Sequence, residues 1–352
     1  MNVNKILSLA ASIIKLFIII SLFNFNSKAE EPNIKSYSDD KGILSLMYHR
    51  FDESKYPSTN IQMDVFKQQI KIIRNSNYKF YDPKDLEKNF YITKIDKKIL
   101  ITIDDAFSSF YEVAWPYLKE EKIPFILFVS TEAIGKRGYM NWDQIKELEK
   151  ENIVYIGNHS HTHDYLVDLK NDDFIKDINT ANSIFIKNLG YNPIFFSYPF
   201  GEFSNLIKEY ITKNFKFSFG QHSGVIDVNK DRYELPRFPI NEKYGDLKRF
   251  EFLINLQPLQ YKNLYPKEKY LTKNNPPKFS VEFFEKQKNL NNINCFSDEG
   301  NQWEKSNINI NKNILIINFR EKFLFRRGRI NCSLNDNGIW RWFGVQFSVK
   351  QN

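Results

Sequence analysis

Between residues 43 and 240, short apolar runs alternate with longer segments of helical spacing, and this rhythm constrains the fold more than any other feature. Residues 44–48, 99–103, 125–130, 153–157, 194–198 and 215–219 read as buried strands. Between them, residues 63–75, 109–121, 142–151, 172–189 and 204–214 carry apolar residues at helical intervals. Asp172 or Asp173 is placed to cap the fourth of these helices, and Gly190 to close it. Strand–helix alternation at this pitch predicts an α/β fold with parallel strands and crossover helices, either a barrel or a doubly wound sheet. His49, Asp104-Asp105, His159 and Pro199-Phe200 each follow directly after a predicted strand. In a (β/α) barrel the C-terminal ends of different strands converge on one face, whereas a doubly wound sheet gathers its site at one switch point. That distribution favours a distorted, TIM-like (β/α) barrel.

The remainder of the chain has a different character. At 352 residues the length suggests about two domains, and 42% hydrophobic with 16% aromatic residues excludes broad disorder. Residues 263–278, rich in Lys, Pro and Asn, read as a linker. Beyond them, residues 279–284, 314–319, 322–325, 328–332 and 340–349 read as short strands. Turns at Asn311-Lys312-Asn313 and Asn335-Asp336-Asn337-Gly338 then suggest a small antiparallel β-domain over 279–352, following a catalytic domain over 30–262. Trp303, Trp340 and Trp342 belong to it, and core or interdomain packing is the usual fate of tryptophan, with sugar stacking as the alternative.

Residues 1–29 read as a secretory signal. Lys5 and Lys15 are followed by an apolar run over 16–23, and Ser27-Lys28-Ala29 sets small residues before a cleavage point at Glu30. An uncleaved anchor over 6–23 is the alternative, although Lys15 interrupts it and leaves a span too short for a bilayer. Either reading places the chain outside the cytoplasm, periplasmic or secreted. Since residues 1–29 hold three lysines and no acids, the net charge of +8 falls to about +5 after cleavage. Export argues against a nucleic-acid partner, while a mildly basic face suits anionic glycans or a membrane surface. Cys295 and Cys332, the two cysteines of the chain, are free to pair in an oxidising compartment.

Chemistry concentrates in two short stretches. Three of the five histidines, His159, His161 and His163, fall within Asn158-His159-Ser160-His161-Thr162-His163. A four-residue offset on a helical turn would present His159 and His163 on one face, and clustering of this kind points to a metal. Upstream, Asp104-Asp105 follows Ile101-Thr102-Ile103 at a strand end. Adjacent carboxylates repel unless a cation relieves them, so one reads as a ligand and the other as a base. A helix N-cap would account for one aspartate and not both.

Thr102-Ile103-Asp104-Asp105 and His159-Ser160-x-x-His163 resemble the first two motifs of the polysaccharide deacetylase family, the NodB-homology carbohydrate esterases, over about residues 43–245. Leu46-Met47-Tyr48-His49 is similar to the branch that deacetylates extracellular poly-N-acetylglucosamine. The resemblance implies a NodB-type barrel and a divalent metal, usually zinc, on Asp105, His159 and His163. It also implies Asp104 as general base and a backbone N–H at Phe200 for the oxyanion. An N-acetylated polysaccharide is the implied substrate, with association with a membrane surface or exopolysaccharide machinery. Tyr198, Phe200, Arg237 and His49 are assigned to the substrate side. In the third motif the family's arginine is replaced by Ser197 ahead of Tyr198-Pro199-Phe200, and Arg237 on a later strand is the candidate substitute. The family's final Leu-x-x-His motif is absent, because no histidine follows His222. His222 is therefore the first candidate for the general acid, His49 the second and His161 the third. A binding protein that has lost turnover, and an amidase or esterase for a small substrate, are the alternatives.

Overall fold

The computed structural model describes residues 41–351, so the signal-like segment, cleaved or anchoring, lies outside the described residues. Among the described residues no helix is long and apolar enough to cross a membrane. Strands β1 (Ile43–Tyr48), β2 (Lys98–Asp104), β3 (Phe125–Val129), β4 (Val154–Asn158), β5 (Phe195–Ser197) and β6 (Phe217–Phe219) lie side by side in parallel. Val225–Ile226 (β7) runs antiparallel to the start of β1, and Phe238–Pro239 (β8) pairs in parallel with its middle. Just before β8, Leu235 bridges Phe219 of β6. Residues 235–239 therefore carry the sheet from its last strand back to its first, curling it into a distorted barrel with a thin seam. The doubly wound alternative is excluded.

Strand periodicity decides what faces the barrel interior. In β2, Ile99, Ile101 and Ile103 pack under the helices, which leaves Leu100, Thr102 and Asp104 on the inward row. In β4, Val154 and Ile156 face the helices, so Tyr155, Gly157 and the following His159 share the inner row. Phe128 fills the space at Gly157 so closely that a Cβ there would lie 2.4 Å from its ring. By the same period, His49 continues the inward row of β1, and Ser197 that of β5.

The outer helices form where helical spacing predicts them, including Met63–Asn75, whose Phe66, Ile70 and Ile73 are buried. Two details differ. Helix Asn171–Leu189 begins after Lys170 without a side-chain cap, so Asp172 and Asp173 sit in its first turn, while Gly190 closes it at φ 85°. Residues 110–114 form a π-helical turn leading into Trp115–Glu120.

The C-terminal part is a sandwich of two sheets. Tyr261–Tyr265, Phe279–Phe283, Ile314–Asn318 and Asn307–Asn311 form one. Gln257–Pro258, Ile339–Val349, Arg327–Asp336, Ile293–Ser297 and Glu304–Lys305 form the other, with Tyr270–Leu271 beside Ile339–Val349. The segment read as a linker is thus woven into both sheets. Lys267, Lys273, Asn274, Pro276 and Lys278 are exposed, while Leu264, Leu271 and the buried Lys269 anchor it. Residues 322–325 form a loop instead of a strand, plugging the core with Phe323 and leaving Leu324 and Phe325 exposed. Asn337 and Gly338, both at positive φ, make the two-residue hairpin turn expected there. Cys295 and Cys332 face each other across adjacent strands and form a disulfide. Trp303 is exposed, contrary to the packing expectation, whereas Trp340 meets Phe252 of the barrel edge-on and Trp342 donates its Nε1–H to Ser223 Oγ at 2.8 Å.

Candidate active site

The inward rows bring Asp104, His159 and Ser197 together at the C-terminal mouth of the barrel, with Asp105 and His163 on the loops just beyond. His159 is buried, and its Nδ1–H donates to the Ser197 carbonyl at 2.7 Å, which leaves Nε2 with a free lone pair. Burial holds the imidazole neutral, its pKa lowered to about 4 despite the opposing pull of Asp104. The Nε2 atoms of His159 and His163 stand 3.2 Å apart, and Asp105 Oδ1 lies 3.5 Å from the first and 3.4 Å from the second.

Two ligand atoms on a tetrahedral zinc at ~2.0–2.1 Å stand roughly 3.3 Å apart. The Asp105–His159–His163 triangle therefore fits a divalent ion, and two lone pairs facing a carboxylate oxygen are a cation's donor set. Asp105 and His163 are partly exposed, which leaves the solvent side of the triangle open, as in catalytic rather than structural sites.

The loop supplying the histidines is not a helical turn. It bends through left-handed conformations at Ser160 (φ 67°) and His163 (φ 59°). Asn158 and Asp177 hold this shape. Asn158 Oδ1 accepts from the Ser160 N–H, while the Asp177 carboxylate accepts from the N–H groups of His161 and Thr162 and from the Thr162 hydroxyl. His161 bonds Thr131 through Nδ1 and turns away from the triangle. Asp105 (φ 75°), Ala106 (φ 55°) and Phe200 (φ 58°) are left-handed as well. Strain in non-glycine residues persists where the surroundings over-determine it, and five of the eleven such residues among the described ones lie here.

Asp104 is fully buried, 3.7 Å from His159 Nε2. Burial by itself would raise its pKa, but the Arg237 guanidinium overrides that and holds the carboxyl at about 2. Arg237 donates through Nη1 to Oδ1 at 2.6 Å and through Nη2 to Oδ2 at 2.9 Å. It also donates to Ser197 Oγ at 2.7 Å and, through Nε, to the Gly220 carbonyl at 2.9 Å. Ser197 stands where the family's arginine is expected, and its hydroxyl accepts from the arginine that arrives from the other strand.

The remaining assignments divide. His49 is half-buried, and its Nδ1 has no hydrogen-bond partner among the described residues. His222 lies elsewhere, lining a cavity of about 120 Å³ with Phe203, Glu234, Tyr261 and Lys269. Burial, then Lys230 and Lys269, lower its pKa to about 3 and favour the neutral imidazole. Tyr198, expected on the substrate side, is fully buried instead, stacked on Phe203 with its hydroxyl donating to the Tyr233 carbonyl. The Phe200 ring centroid lies 4.7 Å from that of His163.

Residues 92–217 match the family model for polysaccharide deacetylase. The chain carries a polysaccharide deacetylase domain. It is 25% identical over 273 residues to the poly-beta-1,6-N-acetyl-D-glucosamine N-deacetylase of Staphylococcus aureus (strain MRSA252), covering 69% of this chain and 94% of that one. The protein of the same name from Staphylococcus epidermidis is 24% identical over 247 residues, covering 62% and 86%. Among solved structures, IcaB from Ammonifex degensii superimposes with a TM-score of 0.54 at 25% identity, over 62% of this chain and 99% of that one. The Streptococcus pyogenes deacetylase PplD in complex with acetate gives 0.55 at 21% identity, over 60% and 98%. More than a third of this chain therefore lies outside either structural match.

Several residues at the site are not evident from the motifs. Asp177 lies among the buried positions of helix Asn171–Leu189, and an acid on an apolar stripe is the signal that it has a specific task. Tyr165, Glu202, Arg326 and Gln346, which surround Phe200, carry no local signal of this kind.

Proposed function

We propose that the protein is a metal-dependent N-deacetylase of an exported poly-N-acetylglucosamine-type polysaccharide. The observation that carries this reading is the buried Asp104, held ionised by Arg237 beside an open triangle of Asp105, His159 and His163. A divalent ion on that triangle, zinc by family precedent, supplies Lewis acidity and a water of lowered pKa. Asp104 takes the proton of the attacking water, and its two hydrogen bonds to Arg237 fix the carboxylate's orientation. The Phe200 N–H is the proposed donor to the developing oxyanion. His49 takes the role of general acid in place of His222, since His49 continues the inward row of β1 and its buried Nδ1 has no hydrogen-bond partner among the described residues. The polymer class follows from the staphylococcal relatives' names, and the disulfide accords with an oxidising, extracytoplasmic location.

Acetate release from N-acetylglucosamine oligomers of defined linkage tests this reading. The β-1,6-linked series should be the best substrate. His49→Gln should lower kcat by about 10²-fold, in the range of a lost general acid, while His222→Gln retains most activity. Equal loss in the two variants would contradict the assignment, and absence of turnover on every glycan would favour a binding protein.

A further inference from the structure

The C-terminal sandwich touches the active site through one continuous stack. The His163 ring meets Phe200 edge-on at 4.7 Å between centroids, and Phe200 lies against Tyr165 at 4.1 Å with the planes 24° apart. The Arg326 guanidinium carbon lies 3.5 Å from the Tyr165 centroid. Two groups this close to one ring cannot share a face, so Tyr165 is sandwiched between Phe200 and Arg326. Neither of its faces is left to stack on a sugar.

Arg326 is itself fixed by carboxylates of the barrel. Its Nε donates to both Glu202 oxygens at 3.1 Å, and Nη1 lies 2.7 Å from Asp168 Oδ2. Glu202 is buried, which pushes its carboxyl up to about 7 against the pull of Arg326. Separately, the Gln346 Nε2–H donates to the Phe200 carbonyl at 3.0 Å. The ring stack and this hydrogen bond end on residues held in left-handed backbone, Phe200 and His163. Such conformations are strained in non-glycine residues and persist only where the surroundings hold them.

We propose that the β-sandwich is a working part of the catalytic site, with Arg326 and Gln346 as positioning residues that set His163 and the Phe200 backbone. The proposal rests on the metal-dependent reading above. It gives the additional sheets a role other than capture of polymer: they close the support around a metal ligand that the barrel's own loops leave incomplete.

The test uses the full chain with Arg326→Ala, Arg326→Lys and Gln346→Ala. Zinc affinity is measured by chelator competition without substrate, alongside kcat and KM for acetate release and thermal unfolding of the metal-free proteins. Loss of outer support to a metal ligand commonly weakens affinity by about 10–100-fold. Arg326→Ala should fall in that range, with kcat reduced and KM changed less than about threefold. Gln346→Ala should show a smaller loss of the same kind, and Arg326→Lys should recover part of it. Zinc affinity within twofold of the parent in both alanine variants would overturn the proposal, as would a rise in KM alone, the mark of a polymer-binding module. Should Arg326→Ala fail to fold, Gln346→Ala and Arg326→Lys decide. Because affinity is read without substrate, a parent protein that binds zinc but releases no acetate would refute the functional reading and still leave the clamp tested.

Discussion

Arg237 is the residue on which the catalytic geometry depends most. Its guanidinium is fully buried, and each of its nitrogens donates to Asp104, Thr102, Ser197 or the Gly220 carbonyl. Removing one member of a buried ion pair strands the other, at a cost of about 3–5 kcal/mol. Urea unfolding of Arg237→Ala should show a loss of that size, and adding Asp104→Asn should restore part of it by removing the stranded charge. Arg237→Lys keeps the charge but loses the paired contacts, so kcat should drop by about 10²-fold, the scale of a misplaced catalytic group. Normal turnover in a folded Arg237→Ala protein would eliminate the positioning role. The need for such an arginine was legible as a gap at Ser197. Its replacement was legible only as a candidate, since which of two strands delivers a side chain to the barrel centre depends on closure of the sheet.

The loop between β4 and helix Asn171–Leu189 is the element that brings His159 and His163 to Asp105. Asp177 ties it down from the helix, through three hydrogen bonds to His161 and Thr162. Asp177→Ala should therefore weaken zinc binding by about 10–100-fold while the barrel unfolds as before, measured by chelator competition and circular dichroism. Unchanged affinity would mean that Asn158 and Ser160 shape the loop without help. The strands and helices of the barrel are legible in sequence because each buries an apolar row at a fixed period. The ligand loop is not, because left-handed residues at Ser160 and His163 follow no period and are held by partners distant in sequence. Spacing pointed to His159 and His163 for the right reason, convergence, but through a helical turn that does not form.

For the whole molecule, what matters is how barrel and sandwich meet. Strand Ile339–Val349 lies along the barrel, with Trp342 bonded to Ser223, Phe343 bridged to Gly224 and Gln346 bonded to Phe200. Gly344 permits this approach, as a Cβ there would stand 2.5 Å from the Ser223 carbonyl. None of these contacts is visible in composition, and the Lys-, Pro- and Asn-rich segment that reads as a linker is instead part of both C-terminal sheets. In the proposed reaction one ion, held by Asp105, His159 and His163, works with Asp104 to remove acetyl groups. Stepwise zinc reloading of the metal-free protein, with bound metal and acetate release followed together, tests it most directly. Activity should rise in proportion to occupancy and saturate at about one ion per chain, with Asp104→Asn binding the ion yet losing about 10²–10⁴-fold in kcat. Acetate release that persists after complete metal removal, or undiminished turnover in Asp104→Asn, would contradict it.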